Sequence, residues 1–185
     1  NEKFNLYSKI HLVPFAEYDL FPAFFHPLSK LNINIDRGNF KAGDNYTIFE
    51  FNDYLFSNLI CYESSMPDVS RKFVEKGAEF LVIQANDGWL KGSYGPDQHF
   101  ELARLRAIEN RVPIIRSANT GISGVINPDG KIQNKIKINQ EKIIMERVNL
   151  SESGSFYTKF GDIFALFCFL ITSIFTLYSC KERFL

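Results

Sequence analysis

The chain has 185 residues, with 21 basic and 21 acidic side chains and no formal net charge. A content of 45% hydrophobic and 15% aromatic residues supports a buried core and excludes a disordered chain, and the lack of a basic excess argues against a nucleic-acid partner. Three cysteines exclude a disulfide scaffold, and the length suits one domain.

Leu6 to Val13 alternates weakly and predicts a strand, ended by Pro14. Phe15 to Lys30 is rich in aromatics and contains Pro22 and Pro27, which predicts a loop with at most a short helix. Tyr46 to Phe51 and Tyr54 to Tyr62 read as strands joined by a turn at Asn52-Asp53. Pro67 opens a helix over Asp68 to Lys76, with Val69, Phe73 and Val74 inward and Gly77 as its cap. Phe80 to Gln84 is a short apolar run, as a buried strand requires. Gly95 to Arg111 is the longest amphipathic helix, with Leu102, Leu105 and Ile108 as one stripe. Ile114 to Ser117 and Gly121 to Asn127 read as strands, and Pro128-Asp129-Gly130 turns into another over Lys131 to Ile138. There Ile132, Ile136 and Ile138 fall on one face, and Glu141 to Val148 reads as one more strand. Strands alternating with two helices, then a hairpin, specify an α/β layered domain.

Ile163 to Cys180 is an 18-residue run without a charge, so every charged side chain lies in the other 167 residues. As a helix the run extends roughly 27 Å, about the hydrocarbon thickness of a bilayer. Thr172, Ser173, Thr176 and Ser179 are tolerated there because helix hydroxyls bond back to carbonyls. The expected organisation is a globular domain over 1–160, a transmembrane helix over 161–180 and a tail over 181–185. A buried core helix is the alternative, but such a helix seldom lacks a polar face. Lys181 and Arg183 follow the run, which places the tail in the cytoplasm and the globular part outside. Cys168 and Cys180 are twelve residues apart on this helix, about 18 Å, too far to bridge.

Cys61 therefore has no evident disulfide partner. It closes the apolar run LFSNLIC and precedes Tyr62, Glu63 and a polar stretch to Pro67, a placement that suits a nucleophile at the mouth of a loop. On placement alone an inert core thiol is the stronger reading. A thiolate needs help, and a lysine can supply charge and an oxyanion contact. Lys9 sits in an apolar segment where a cation is costly unless paired, and Glu17 lies among aromatics; each also suits a solvated face. His11, His26 and His99 lack metal-ligand spacing, so neither a metal nor another cofactor is assigned, and His99 is expected to pack or cap its helix. Asn86-Asp87-Gly88-Trp89 ends a strand, a usual place for a functional loop, although Trp89 also suits a packing role.

Taken together, KIHLVPFAEY, LICYE, NDGWLKGSYGPDQHFELARLRAIENRVPIIRSANTGIS and NPDGKI resemble the nitrilase superfamily. Within it they are most similar to the C-terminal portion of the apolipoprotein N-acyltransferase family. The resemblance runs from Tyr7 to the final apolar helix and includes the 52-residue separation of Lys9 and Cys61. It implies a partial nitrilase-like αββα sandwich followed by one transmembrane helix, in a bacterial inner membrane with the globular part periplasmic. It implies a Glu-Lys-Cys triad and acyl transfer in two steps. Cys61 would take an acyl chain from a phospholipid as a thioester, Lys9 would stabilise the oxyanion, and an apolipoprotein amine would accept the chain. Glu17 matches a supporting glutamate, Tyr62 and Glu63 match the residues after the nucleophile, and Trp89 falls in a loop near the lipid entrance.

Two departures stand out. Ala16 replaces the family's usual glycine before Glu17, a mild change unless that backbone needs a positive φ. The triad's general-base glutamate lies upstream in the family; before Lys9 only Glu2 offers a carboxylate, in a context that does not match. The expectation is little activity from a chain starting at Asn1, with a separate N-terminal half carrying the glutamate and further membrane helices. The rival readings are a membrane-anchored amide hydrolase and a non-catalytic split or decayed subunit.

Overall fold

The structure, a computed structural model, describes residues 5–18, 40–90, 92–150 and 154–183. Six strands form one mixed sheet in sequential order: β1 (Phe49–Phe51), β2 (Tyr54–Ile60), β3 (Phe80–Ala85), β4 (Ile114–Ala118), β5 (Ser123–Ile126) and β6 (Ile132–Ile136). The β1–β2 hairpin turns at Asn52 and Asp53, whose φ values of 48° and 67° suit the residue types that best tolerate the left-handed region. β2, β3 and β4 run parallel, connected by helices α1 (Pro67–Glu75) and α2 (Gly95–Asn110). Sequential order and right-handed crossovers put both helices on one face of the sheet. Leu59, Leu81, Ile83 and Ile114 meet Val69, Phe73, Phe100, Ala103 and Ala107 there, and all are fully buried. Of the expected αββα sandwich, the described residues form one α-on-β pair of layers. The other sheet face carries a ladder of stacked rings, Phe49 on Phe56 at 5.4 Å and Phe56 on Phe80 at 5.1 Å.

α1 follows its sequence pattern, with Pro67 in its first turn, Val69, Phe73 and Val74 inward and Gly77 at φ 104° after its end. α2 has the expected limits but the opposite face. Leu105 and Ile108 are 46% and 44% exposed, whereas His99, Phe100, Ala103, Arg106, Ala107 and Asn110 are buried. Two alanines bring the helix axis close to its neighbours. Its buried polar groups are partly paired, Arg106 Nη2 with Glu109 at 2.9 Å and Asn110 Nδ2 with the Arg106 carbonyl at 3.0 Å, while Arg106 Nε and Glu109 Oε2 have no partner among the described residues.

Other expectations are corrected. Leu6 to Val13 joins no strand ladder; side-chain and single backbone bonds hold it, including Gly43 N–H to the Lys9 carbonyl at 2.8 Å. β1 begins at Phe49, not Tyr46, and β2 ends at Ile60, where the chain enters a 3-10 turn over Cys61–Ser65. Glu141 to Val148 forms no strand; the Gln133 and Asn134 amides bind the Glu146 carboxylate at 3.1 and 2.8 Å in place of a ladder. A register shift at Val125/Ile126 breaks the expected face of β6, so Ile136 is buried while Ile132 is exposed, and Ile138, beyond the end of β6, is exposed as well. The Phe15 to Lys30 loop lies outside the described residues beyond Tyr18, as do Glu2 and His26.

At the C-terminal end, Ser155 caps the short α3 (Phe156–Phe160) by accepting from Thr158 N–H. α4 (Ile163–Arg183) follows Gly161. Its apolar window Ile163–Cys180 is not buried against the described residues, unlike a core helix. Thr172, Ser173 and Thr176 each bond the carbonyl four residues earlier at 2.8 Å, as expected of hydroxyls in an apolar helix.

Candidate active site

The parallel strands end on one edge, where Cys61 follows β2, Asp87–Leu90 follows β3 and Asn119 follows β4. Ligands of parallel sheets collect at such edges. Ile60 is extended, at φ −99°, and Cys61 reverses into the left-handed region at φ 53°. Such a conformation costs a non-glycine residue about 1–3 kcal/mol and persists only where its surroundings hold it. The elbow leaves the Cys61 thiol half-buried, with Sγ 3.8 Å from the Asn86 carbonyl.

Glu63, two residues on, is fully buried. Its Oε1 accepts from the Tyr7 hydroxyl at 2.7 Å, Ile10 N–H at 2.7 Å and His11 N–H at 3.1 Å, while Oε2 accepts from Ile60 N–H at 2.8 Å. One carboxylate thus ties the segment that carries Lys9 to the elbow that carries Cys61. Burial, then the Glu63 hydrogen bond and charge, push the Tyr7 phenol far above its usual value, so it remains a donor. Lys9 Nζ forks onto both Glu17 oxygens at 2.8 and 2.7 Å. Glu17 Oε2 also accepts from Val13 N–H at 2.7 Å, inside a turn closed by Glu17 N–H to the Val13 carbonyl. The positive φ of that turn falls on Phe15, at 64°, so Ala16 needs no glycine.

His99 does more than pack. Its Nδ1 lies 2.7 Å from Asp87 Oδ1, and its Nε2 lies 2.7 Å from Ser64 Oγ and 3.1 Å from the Cys61 carbonyl. Arg116 Nη2 donates to Asp87 Oδ2 at 2.8 Å and Nε donates to the Ile122 carbonyl at 3.1 Å. All four side chains are buried. Burial raises the Asp87 carboxyl, but the His99 hydrogen bond and the Arg116 charge outweigh it and hold the group below its ordinary value. Gly121 packs against the Asp87 carboxylate so closely that a Cβ there would overlap it. The sequence signal that could have pointed to a buried polar face on α2 is the spacing of His99, Arg106 and Asn110, which share its inner side.

Trp89 is 87% exposed in the turn that follows β3, and Tyr94, just before α2, is exposed as well. Tyr62 is half-buried. Among the described residues, no group of three or more His, Cys, Asp or Glu is disposed to hold a metal ion.

Cys61 thus closes a parallel strand, with a lysine–glutamate pair tied to its elbow. The sequence profile of the carbon-nitrogen hydrolase family matches residues 1–157, and the chain belongs to that family. Two solved structures share the fold. A carbon-nitrogen hydrolase from Helicobacter pylori is 20% identical with a TM-score of 0.50, over 55% of this chain and 43% of that one. A cysteine-to-serine mutant of a Nesterenkonia amidase from the nitrilase superfamily is 16% identical with a TM-score of 0.51, over 71% and 46%.

Curated relatives narrow the class. The chain is similar to apolipoprotein N-acyltransferases from Geobacter metallireducens, 38% identical over 161 residues, and Borreliella burgdorferi, 35% over 179 residues. These matches cover 87% and 92% of this chain but 30% and 33% of those proteins. The chain spans about a third of the length of these relatives.

Proposed function

We propose that this chain carries the acyl-transfer site of a membrane enzyme that moves an acyl chain from a phospholipid to the N-terminal diacylglyceryl-cysteine of apolipoproteins. The observation that carries this reading is the Glu63 tie, which joins the Lys9–Glu17 pair to the left-handed elbow at Cys61. The names of the similar proteins and the exposed apolar α4 favour a lipid donor over a soluble amide.

In the first step the Cys61 thiolate attacks the sn-1 ester carbonyl, and negative charge develops on the ester oxygen. The Lys9 ammonium, fixed by Glu17, stabilises that charge. The intermediate collapses to a thioester, and the glycerol oxygen leaves with the proton released by the thiol. In the second step the acceptor amine attacks the thioester carbonyl, the C–S bond breaks, and the proton lost by the amine nitrogen returns to the departing Cys61 sulfur. Glu63 holds the two segments in register, Tyr62 flanks the nucleophile, and Trp89 borders the lipid side. α4 crosses the bilayer with Lys181 and Arg183 in the cytoplasm, which leaves the site on the outer side.

The test is N-acylation of a diacylglyceryl lipopeptide by the complete protein supplied with phospholipid vesicles. Cys61→Ala should reduce transfer to background. Lys9→Ala should lower it by about 10²–10³-fold, the usual loss for one oxyanion donor. Undiminished transfer by Cys61→Ala would overturn the reading.

A further inference from the structure

Beneath Cys61 lies a buried polar cluster that neither transfer step uses. Asp87 comes from the end of β3, His99 from the first turns of α2, Arg116 from β4 and Ser64 from the turn after Cys61. The cluster is anchored at its far end, where Arg116 bonds the Ile122 carbonyl and Asp87. Its near end meets the nucleophile's own peptide. Ser64 Oγ lies 2.9 Å and His99 Nε2 3.1 Å from the Cys61 carbonyl oxygen.

The donors can be assigned from the acceptors. A carboxylate only accepts, so the short contact to Asp87 puts a proton on His99 Nδ1. Nε2 and the Ser64 hydroxyl then share the Cys61 carbonyl. Ser64 donates to the carbonyl or to Nε2, and with Nε2 protonated both groups donate to the carbonyl. The buried carbonyl is therefore held by Ser64, or by Ser64 and protonated Nε2 together, and it loses its donor only when Ser64 turns to a bare Nε2. The Cys61 peptide is planar and trans, so a carbonyl drawn into the cluster turns the Tyr62 N–H away from it. It also opposes relaxation of the strained φ of 53°.

We infer that His99 is a positioning residue for Cys61: braced by Asp87 and Arg116, and together with Ser64, it holds the carbonyl of the nucleophile's own peptide and so fixes the elbow that presents the thiol. The inference rests on the reading of Cys61 as nucleophile. Its neighbours give it a geometric form: loss of the ring's contact with the Cys61 carbonyl should slow reaction at Cys61 without a matching loss of fold.

The test measures alkylation of Cys61 by iodoacetamide in the complete protein, read by mass spectrometry of the Cys61 peptide, with thermal melting of each variant in parallel. His99→Phe keeps the volume and removes both ring nitrogens. It should slow alkylation about 10- to 100-fold, the scale expected for a misplaced reacting group. His99→Gln keeps an amide donor near the Nε2 position and should recover most of the rate. A purely structural role would instead make the rates of His99→Phe and His99→Gln follow their melting temperatures. If His99→Phe fails to accumulate, His99→Gln and Ser64→Ala carry the test: Ser64→Ala should slow alkylation while His99→Gln stays near wild type. Wild-type alkylation of His99→Phe, or His99→Gln slowed tenfold at an unchanged melting temperature, would overturn the inference and leave the nucleophile reading standing. A wild-type protein unreactive at Cys61 would overturn both.

Discussion

The Glu63 carboxylate accepts one hydroxyl and three backbone N–H groups in the interior, so a change at its oxygens leaves buried donors without acceptors. Glu63→Gln must turn its amide N–H₂ toward at least one of these donors. The expected loss is about 1–3 kcal/mol in denaturant unfolding, and N-acylation should fall further because the Lys9 segment loses its tie. Asp87 supplies a pH dependence. Its folded value lies below the ordinary carboxyl value near 3.9, so its contribution is complete above that pH and is lost as pH falls through the folded value. Melting curves between about pH 5 and pH 2 should decline less steeply for Asp87→Asn than for wild type. At this scale Cys61, Lys9 and Glu17 were legible as residue types, and the resemblance supplied their roles. The left-handed φ of Cys61 was not legible, because a conformation held by neighbours from other elements leaves no local pattern. His99 was read as a packing residue and is buried, but its polar partners were not legible for a related reason: they lie 12 and 38 residues away in sequence.

Among the elements, α2 separates what periodicity specifies from what it does not. Its limits were legible in the sequence, but the stripe of large apolar residues pointed to the wrong face. Two buried alanines and a partly paired polar stripe occupy the inner face, and a count of apolar side chains does not register pairing. Phe100→Ala should cost about 3–5 kcal/mol, whereas Leu105→Lys should stay within about 0.5 kcal/mol, both read from urea midpoints. Gly121→Ala drives a methyl into the Asp87 carboxylate and should lower the melting temperature although φ there is unremarkable. Leu6 to Val13 and Glu141 to Val148 carried strand-like composition without forming ladders. A strand exists only with a partner, and composition does not name one.

For the whole molecule, the 18-residue uncharged run was the most legible feature, because its length and apolarity are set by composition alone. An arginine at its centre, Ile171→Arg, carries an insertion penalty of about 2.5–3.5 kcal/mol, and carbonate extraction should release a larger fraction of that variant from membranes. The parallel strands turn their C-terminal ends to one edge, where Cys61 follows β2 and the exposed Trp89 lies in the turn after β3. The central claim is that Cys61 carries the acyl group between donor and acceptor. The most direct measurement incubates the complete protein with phospholipid in the absence of lipopeptide and maps acyl adducts by mass spectrometry, before and after hydroxylamine. The expected result is one fatty acyl group on the Cys61 peptide, removed by hydroxylamine and discharged when lipopeptide is added. N-acylation of lipopeptide with no acyl group ever found on Cys61 would contradict it.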